Sequence, residues 1–271
     1  MPLGGAQLAP ARPERQTWTA TRDRPKPSMP LFVGTRRRGA AHGPASYPGP
    51  TVHDDPTDDL IPRLRGVSHA AAFLLAVAAA IVLVALADGT RATIAVIVYG
   101  AGLVALFGGS ALYHRWPGPR RFKPLLRRID HSTIFVFIAA TYTPVALIVV
   151  DGPVAWVLLV GAWAGAVAGV VFSLGWIDAP RPLVAGSYLA LGWLALIAAP
   201  QLVRALDAAA VVLLAAGGLL YSAGAIVYAR QRPNPWPRTF GFHEVFHALV
   251  ILAAAAHYVA MIGWVVPEAG A

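Results

Sequence analysis

Gly241-Phe242-His243-Glu244-Val245-Phe246-His247 opens an apolar run that continues to about Trp264. At 1.5 Å rise per residue, about 20 helical residues cross ~30 Å of hydrocarbon, so the run predicts a membrane-spanning helix. It starts with two histidines four apart. Residues so spaced stand on one helical face a turn apart, so His243 and His247 can offer imidazole nitrogens to a single metal ion. One helix supplies only two ligands, and the best third is His114, which ends another apolar run.

The same length criterion finds six earlier runs, at about 67–87, 92–114, 130–150, 153–175, 183–200 and 208–229, with 241–264 the seventh. Polar residues, Gly and Pro separate them, notably Asp88-Gly89, the basic stretch Arg115 to Arg128, Asp151-Gly152-Pro153 and Arg230 to Arg238. The fifth run is the weakest, because Gly186, Ser187 and Gly192 interrupt it. The expected fold is therefore an all-α integral membrane protein, a seven-transmembrane helix bundle over residues 61–266. Pro144 predicts a kink in the third helix. Gly161, Gly165 and Gly169 predict close helix packing inside the monomer rather than a dimer contact.

Composition agrees with a chain solvated by lipid. Charged residues make up 13%, against about a quarter in soluble domains, and 57% are apolar. No cysteine is present, which excludes disulfides and thiolate ligands and leaves nitrogen and oxygen for any zinc. The net charge of +9 does not point to nucleic acid, because the basic residues fall in a tail and in particular loops without a reading motif. Those loops set orientation. With the amino terminus in the cytoplasm, twelve Lys and Arg lie near inner helix ends, six of them in the second loop, against only Arg91 and Arg204 outside. The carboxyl terminus is then outside. Residues 1–60, rich in Pro, Arg, Gly and Thr, predict a disordered cytoplasmic tail with no export signal, and Met29 is an alternative start.

This topology brings His114, Asp130 with His131, and His243 with His247 to one membrane depth. Ionisable groups inside apolar helices are costly and usually face the bundle interior, so such an alignment is a functional-site hypothesis. Three histidines with an open fourth position are the usual catalytic zinc arrangement; Asp130 would orient the metal-bound water and take its proton. Ser110, one turn before His114, either hydrogen-bonds within the site or bonds back to its own helix. His69 enters the first helix at the same level, as a candidate second partner. His131 points elsewhere round its helix, and His257 is expected to bond within the bundle. His243-Glu244-x-x-His247 also matches the zincin protease pattern, but Ala253 stands where a third histidine is wanted, and Asp151 falls at the opposite face. Glu244 is expected to meet the basic inner loops instead.

Ser110-Ala-Leu-Tyr-His114, Arg128-Ile-Asp130-His131-Ser132 leading to Ala140-Thr141-Tyr142-Thr143-Pro144, Pro233-Asn-Pro-Trp236 and Phe242-His243-Glu-Val-Phe-His247 together resemble the hemolysin III family, the bacterial branch of the progestin and adipoQ receptor superfamily. The resemblance covers roughly residues 62–266. It implies seven helices in a bacterial plasma membrane, a zinc ion held by His114, His243 and His247, Asp130 beside the zinc-bound water, and Ser110 in the same site. The wider group includes proteins resembling lipid-amide hydrolases. The leading expectation is a zinc-dependent hydrolase of a membrane lipid amide or ester, with membrane lipids as partners and a homo-oligomer open. The alternative is a non-enzymatic cytolysin-like or membrane-state-sensing protein with structural zinc. A pore needs polar rows through the whole bundle, and this sequence gathers its polar residues at one end.

Overall fold

A computed structural model of the chain describes residues 62–270, together with Met1. The predicted tail, 1–60, lies outside the described residues apart from Met1. Among the described residues every regular element is helical: α1 (Val67–Leu86), α2 (Gly89–Arg115), α3 (Lys123–Pro144), α4 (Gly152–Gly175), α5 (Arg181–Gly192), α6 (Ala199–Ala205), α7 (Ala208–Arg230) and α8 (Phe242–Ala260). Among the described residues six spans are long and apolar enough to cross a membrane, and a seventh forms if the bent pair α5 and α6 counts as one.

Neighbours in sequence pack together from α1 to α4. α8 lies against both α7 and α1, and α5 meets α7, α3 and α4, which closes the ring. α3 is the most enclosed span, with 56% of its apolar window buried against 22% for α1, so its polar residues face the interior. Leu74, Leu75, Ile81, Trp156, Val160 and Leu219 point outward, where lipid solvates them. Gly165 and Gly169 of α4 receive Leu191 of α5 and Phe135 of α3, so that glycine row does pack within the monomer.

Two expectations need correction. The fifth run is not one helix: α5 passes through a tight 3-10 segment, Trp193–Ile197, and then bends by 54° into α6. Pro200 in the first turn of α6 has no N–H to continue the preceding helix. The backbone groups freed at this break are met from α3, since Ala195 N donates to Tyr142 Oη at 3.0 Å and the hydroxyl donates to the carbonyl oxygens of Leu191 and Gly192. Second, α3 begins at Lys123, about two turns before the expected start at 130, so much of the basic loop is helical. Pro124 suits the first helical turn, and Lys123 reaches back to Tyr113 O at 2.5 Å. After Pro144, where the sequence predicts a kink, the chain continues in a wider π-helical turn, Val145–Val149.

The start of α8 is fixed to the start of α1. Arg63 N and Leu64 N donate to Arg238 O and Thr239 O at 3.1 and 3.3 Å, joining the segment before α1 to the loop before α8. Glu244 accepts from Gly241 N at 2.8 Å and pairs with Arg65 Nε at 2.5 Å. Its carboxylate is thus spent on a helix cap and an ion pair with a basic inner segment, in line with the expectation for this glutamate. The Glu244 side chain is only 2% exposed, so neutralising it strands the arginine in a poorly solvated position. Glu244→Gln is expected to cost about 2–3 kcal/mol, a fall of roughly 5–10 °C in melting temperature by thermal unfolding in detergent. An unchanged melting temperature would mean that water already solvates Arg65.

Candidate metal centre

The site grows from the carboxyl end of α2, the amino end of α8 and the second turn of α3. Ligand-capable nitrogens of His114, His243 and His247 all lie within 4.8 Å of one another. The closest pair is His114 Nε2 and His243 Nε2, 3.0 Å apart, from residues 129 positions apart in the chain. The i, i+4 pair on α8 is set by helical geometry alone, with ring centroids 4.4 Å apart. His114 arrives because α1 lies between α2 and α8 and admits its ring: Gly66, just before α1, has φ 75°, and a Cβ there would overlap the Cβ of His114.

Asp130 is buried, with Oδ2 4.0 Å from His114 Nε2, and Ser110 is buried beside the same cavity. His69 of α1 is buried and stacks flat on His247, centroids 3.6 Å apart, with both ring nitrogens lacking a protein partner. Span lengths alone put His69 at this depth; the stacking depends on how α1 meets α8, which no local pattern shows. His131 turns toward Tyr228 and lies outside the three-histidine group, while its backbone oxygen accepts from Tyr188 Oη at 3.3 Å.

The group can hold a metal ion. A tetrahedral ion with nitrogen bonds of about 2.0–2.1 Å spaces its ligands roughly 3.3 Å apart, so nitrogens already 3.0–4.8 Å from one another need only small side-chain adjustments. Imidazole-only donors suit zinc, copper, iron or nickel rather than magnesium or calcium. His247 Nδ1 is buried without a hydrogen-bond partner, in a position where protein alone leaves the polar group unsatisfied.

These groups other than His114 line one cavity of about 290 Å³, near the lower end of ligand-pocket sizes. His69, Ser110, Asp130, His243 and His247 line one end. From there the walls are mainly aliphatic and aromatic, contributed by α3, α5, α6, α7 and α8, and reach His257 and Met261. Polar side chains among these walls include Thr141, Tyr142, Trp193 and Ser222, besides the histidine cluster and His257.

Comparison with known proteins adds an independent finding. The family described as Haemolysin-III related matches residues 60–258. A Bacillus cereus protein named Hemolysin-3 is 33% identical over 211 residues, covering 76% of this chain and 92% of that protein. The Bacillus subtilis Hemolysin-3 homolog is 32% identical, covering 72% and 89%. A human protein, monocyte to macrophage differentiation factor, is 28% identical over 72% of this chain and 80% of its own length. No solved structure gives a significant match.

Proposed function

The chain belongs to the haemolysin-III related family of multi-pass membrane proteins, and on that premise we propose that it is a zinc-dependent hydrolase of a membrane lipid amide or ester. The observation behind this reading is a mainly apolar cavity that reaches His243 and His247 of a three-histidine cluster, with a buried aspartate and serine lining it too. His114, His243 and His247 would hold the zinc, which when bound supplies Lewis-acid polarisation of a carbonyl oxygen. Asp130 takes the proton of the attacking water and returns it to the departing amine or alkoxide. Ser110 holds the Asp130 carboxylate in register. The apolar walls bind the hydrocarbon chain, orient its polar end toward Asp130, and exclude bulk water.

The direct test is a panel of lipid amides and esters offered to detergent-purified protein, with and without a chelator. Chelator-sensitive release of fatty acid is expected. A metal-loaded protein that leaves the whole panel intact ends the hydrolase reading, and structural zinc in a sensing or cytolysin-like protein takes its place.

Gly66 provides a second check on the ligand geometry. Gly66→Ala should weaken metal binding roughly tenfold or more by displacing His114. Gly89 also has positive φ, 75°, but nothing near its missing Cβ. Gly89→Ala therefore carries similar backbone strain, ~1–2 kcal/mol, and should leave metal affinity unchanged in a competition titration with a chromogenic chelator. Equal effects from the two substitutions would assign the Gly66 result to strain alone.

A further inference from the structure

We infer that His257 and Tyr221 form a second polar subsite in the cavity, one that recognises a hydroxyl carried deep in the hydrocarbon chain of the bound lipid; the inference rests on the lipid-hydrolase reading above and narrows its substrate class. His247 and His257 are ten residues apart on α8, about 15 Å along its axis. Both line the same cavity. One end holds the reacting group, and the other faces a point well down the chain.

The His257 ring is built into its position. Its Nε2 lies 3.1 Å from Leu214 O on α7 and donates to it. Gly217, also on α7, leaves the space that the ring occupies, since any Cβ there would overlap it. With Nε2–H donating, Nδ1 of the neutral ring is an acceptor. That Nδ1 is buried and has no partner.

Tyr221, one turn beyond Gly217, meets the imidazole edge-on with ring centroids 5.4 Å apart. Its Oη is buried and equally without a partner, and the two side chains do not bond to each other. Leucine or phenylalanine would fill this volume without stranding polar groups, each of which costs several kcal/mol in hydrocarbon. The surrounding walls include Val250, Leu214 and Met261, which offer no alternative partner.

A ligand hydroxyl meets both needs. Its hydrogen goes to His257 Nδ1, and its oxygen accepts from the Tyr221 hydroxyl. A carbonyl would satisfy only Tyr221, and an unsubstituted chain would satisfy neither. The chemistry therefore selects an amide or ester whose acyl or alkyl chain bears a hydroxyl remote from the scissile bond.

The test uses the full chain in lipid nanodiscs and a fluorescent fatty amide as the displaced probe. Competitors are a plain fatty amide and a positional series of its hydroxylated isomers. An isomer with the hydroxyl deep in the chain should bind roughly tenfold more tightly than the plain amide, about 1.4 kcal/mol. Tyr221→Phe keeps the ring and removes only the hydroxyl, so it should cut that advantage to about threefold, the bond to His257 Nδ1 remaining. Equal binding of all isomers by the parent, or a preference undiminished in Tyr221→Phe, overturns the subsite. Hydrolysis of plain and hydroxylated chains at equal rates with no binding preference would also remove the subsite while leaving the hydrolase intact. A binding preference without hydrolysis would keep the subsite and remove the hydrolase. Failure of every chain to displace the probe would overturn both.

Discussion

Asp130→Asn is expected to lower lipid hydrolysis by about 10²- to 10⁴-fold while the protein keeps its metal. The substitution preserves the size of a buried side chain 4.0 Å from His114 Nε2, but removes the group that accepts the proton. Because Asp130 lies outside the three-nitrogen group, metal content should remain at the parent value. The two measurements are made on one preparation: elemental analysis for the ion, and fatty acid release for turnover. Loss of metal together with activity would make Asp130 a ligand or an orienter of ligands. Retained activity would move the proton transfer to another group, and His69, stacked on His247, would be the next to substitute. Ser110→Ala should give a smaller loss than Asp130→Asn, because the serine acts on the aspartate rather than on the reacting atoms.

The second large effect concerns the ion. His114→Ala and His243→Ala should each reduce bound zinc from about one per chain to background, and the double variant should bind no less than either single one. That pattern follows from the 3.0 Å approach of the two Nε2 atoms, which allows one shared ion and leaves no room for two independent ones. Stability should fall with it. A ligand present at a thousand times its dissociation constant contributes about 4 kcal/mol, which corresponds to a drop of roughly 8–16 °C in melting temperature for a domain of this size. Addition of a chelator to the parent protein should reproduce the shift, and should not shift the variants further. Chelator-free parent protein with no metal would remove the zinc mechanism, and the histidines would then serve as hydrogen-bonding groups inside the bundle.

Much of the fold and part of the site are legible in the residues alone. The spacing of His243 and His247 states its own geometry, because helical periodicity is local. Lengths of apolar runs locate six spans, since the thickness of hydrocarbon imposes a minimum length on any spanning helix. The two places where run length misleads share a cause. At the basic loop, Lys and Arg suggest that no helix has yet begun, but long aliphatic stems let such residues extend a helix into the interface, and α3 starts at Lys123. At the fifth run, an apolar stretch of spanning length suggests one straight element. Its break relies on Tyr142, about 50 residues earlier, to satisfy the freed backbone groups, a compensation that no window of sequence contains.

Local pattern thus decided that this protein is a helical bundle in lipid, with its cationic loops at one face and an i, i+4 histidine pair at that level. Those properties depend on transfer of side chains from water to hydrocarbon and on the helical repeat, both of which act over a turn or a span. Packing between distant helices decided the rest. It brought His114 to 3.0 Å from His243, stacked His69 on His247, gave Glu244 to Arg65, and opened a cavity that joins the histidine cluster to His257 and Tyr221. Such distances depend on which faces of α1, α2, α7 and α8 meet. That choice comes from close contacts at small residues such as Gly66 and Gly217, where a single added methyl group would displace the functional ring beside it.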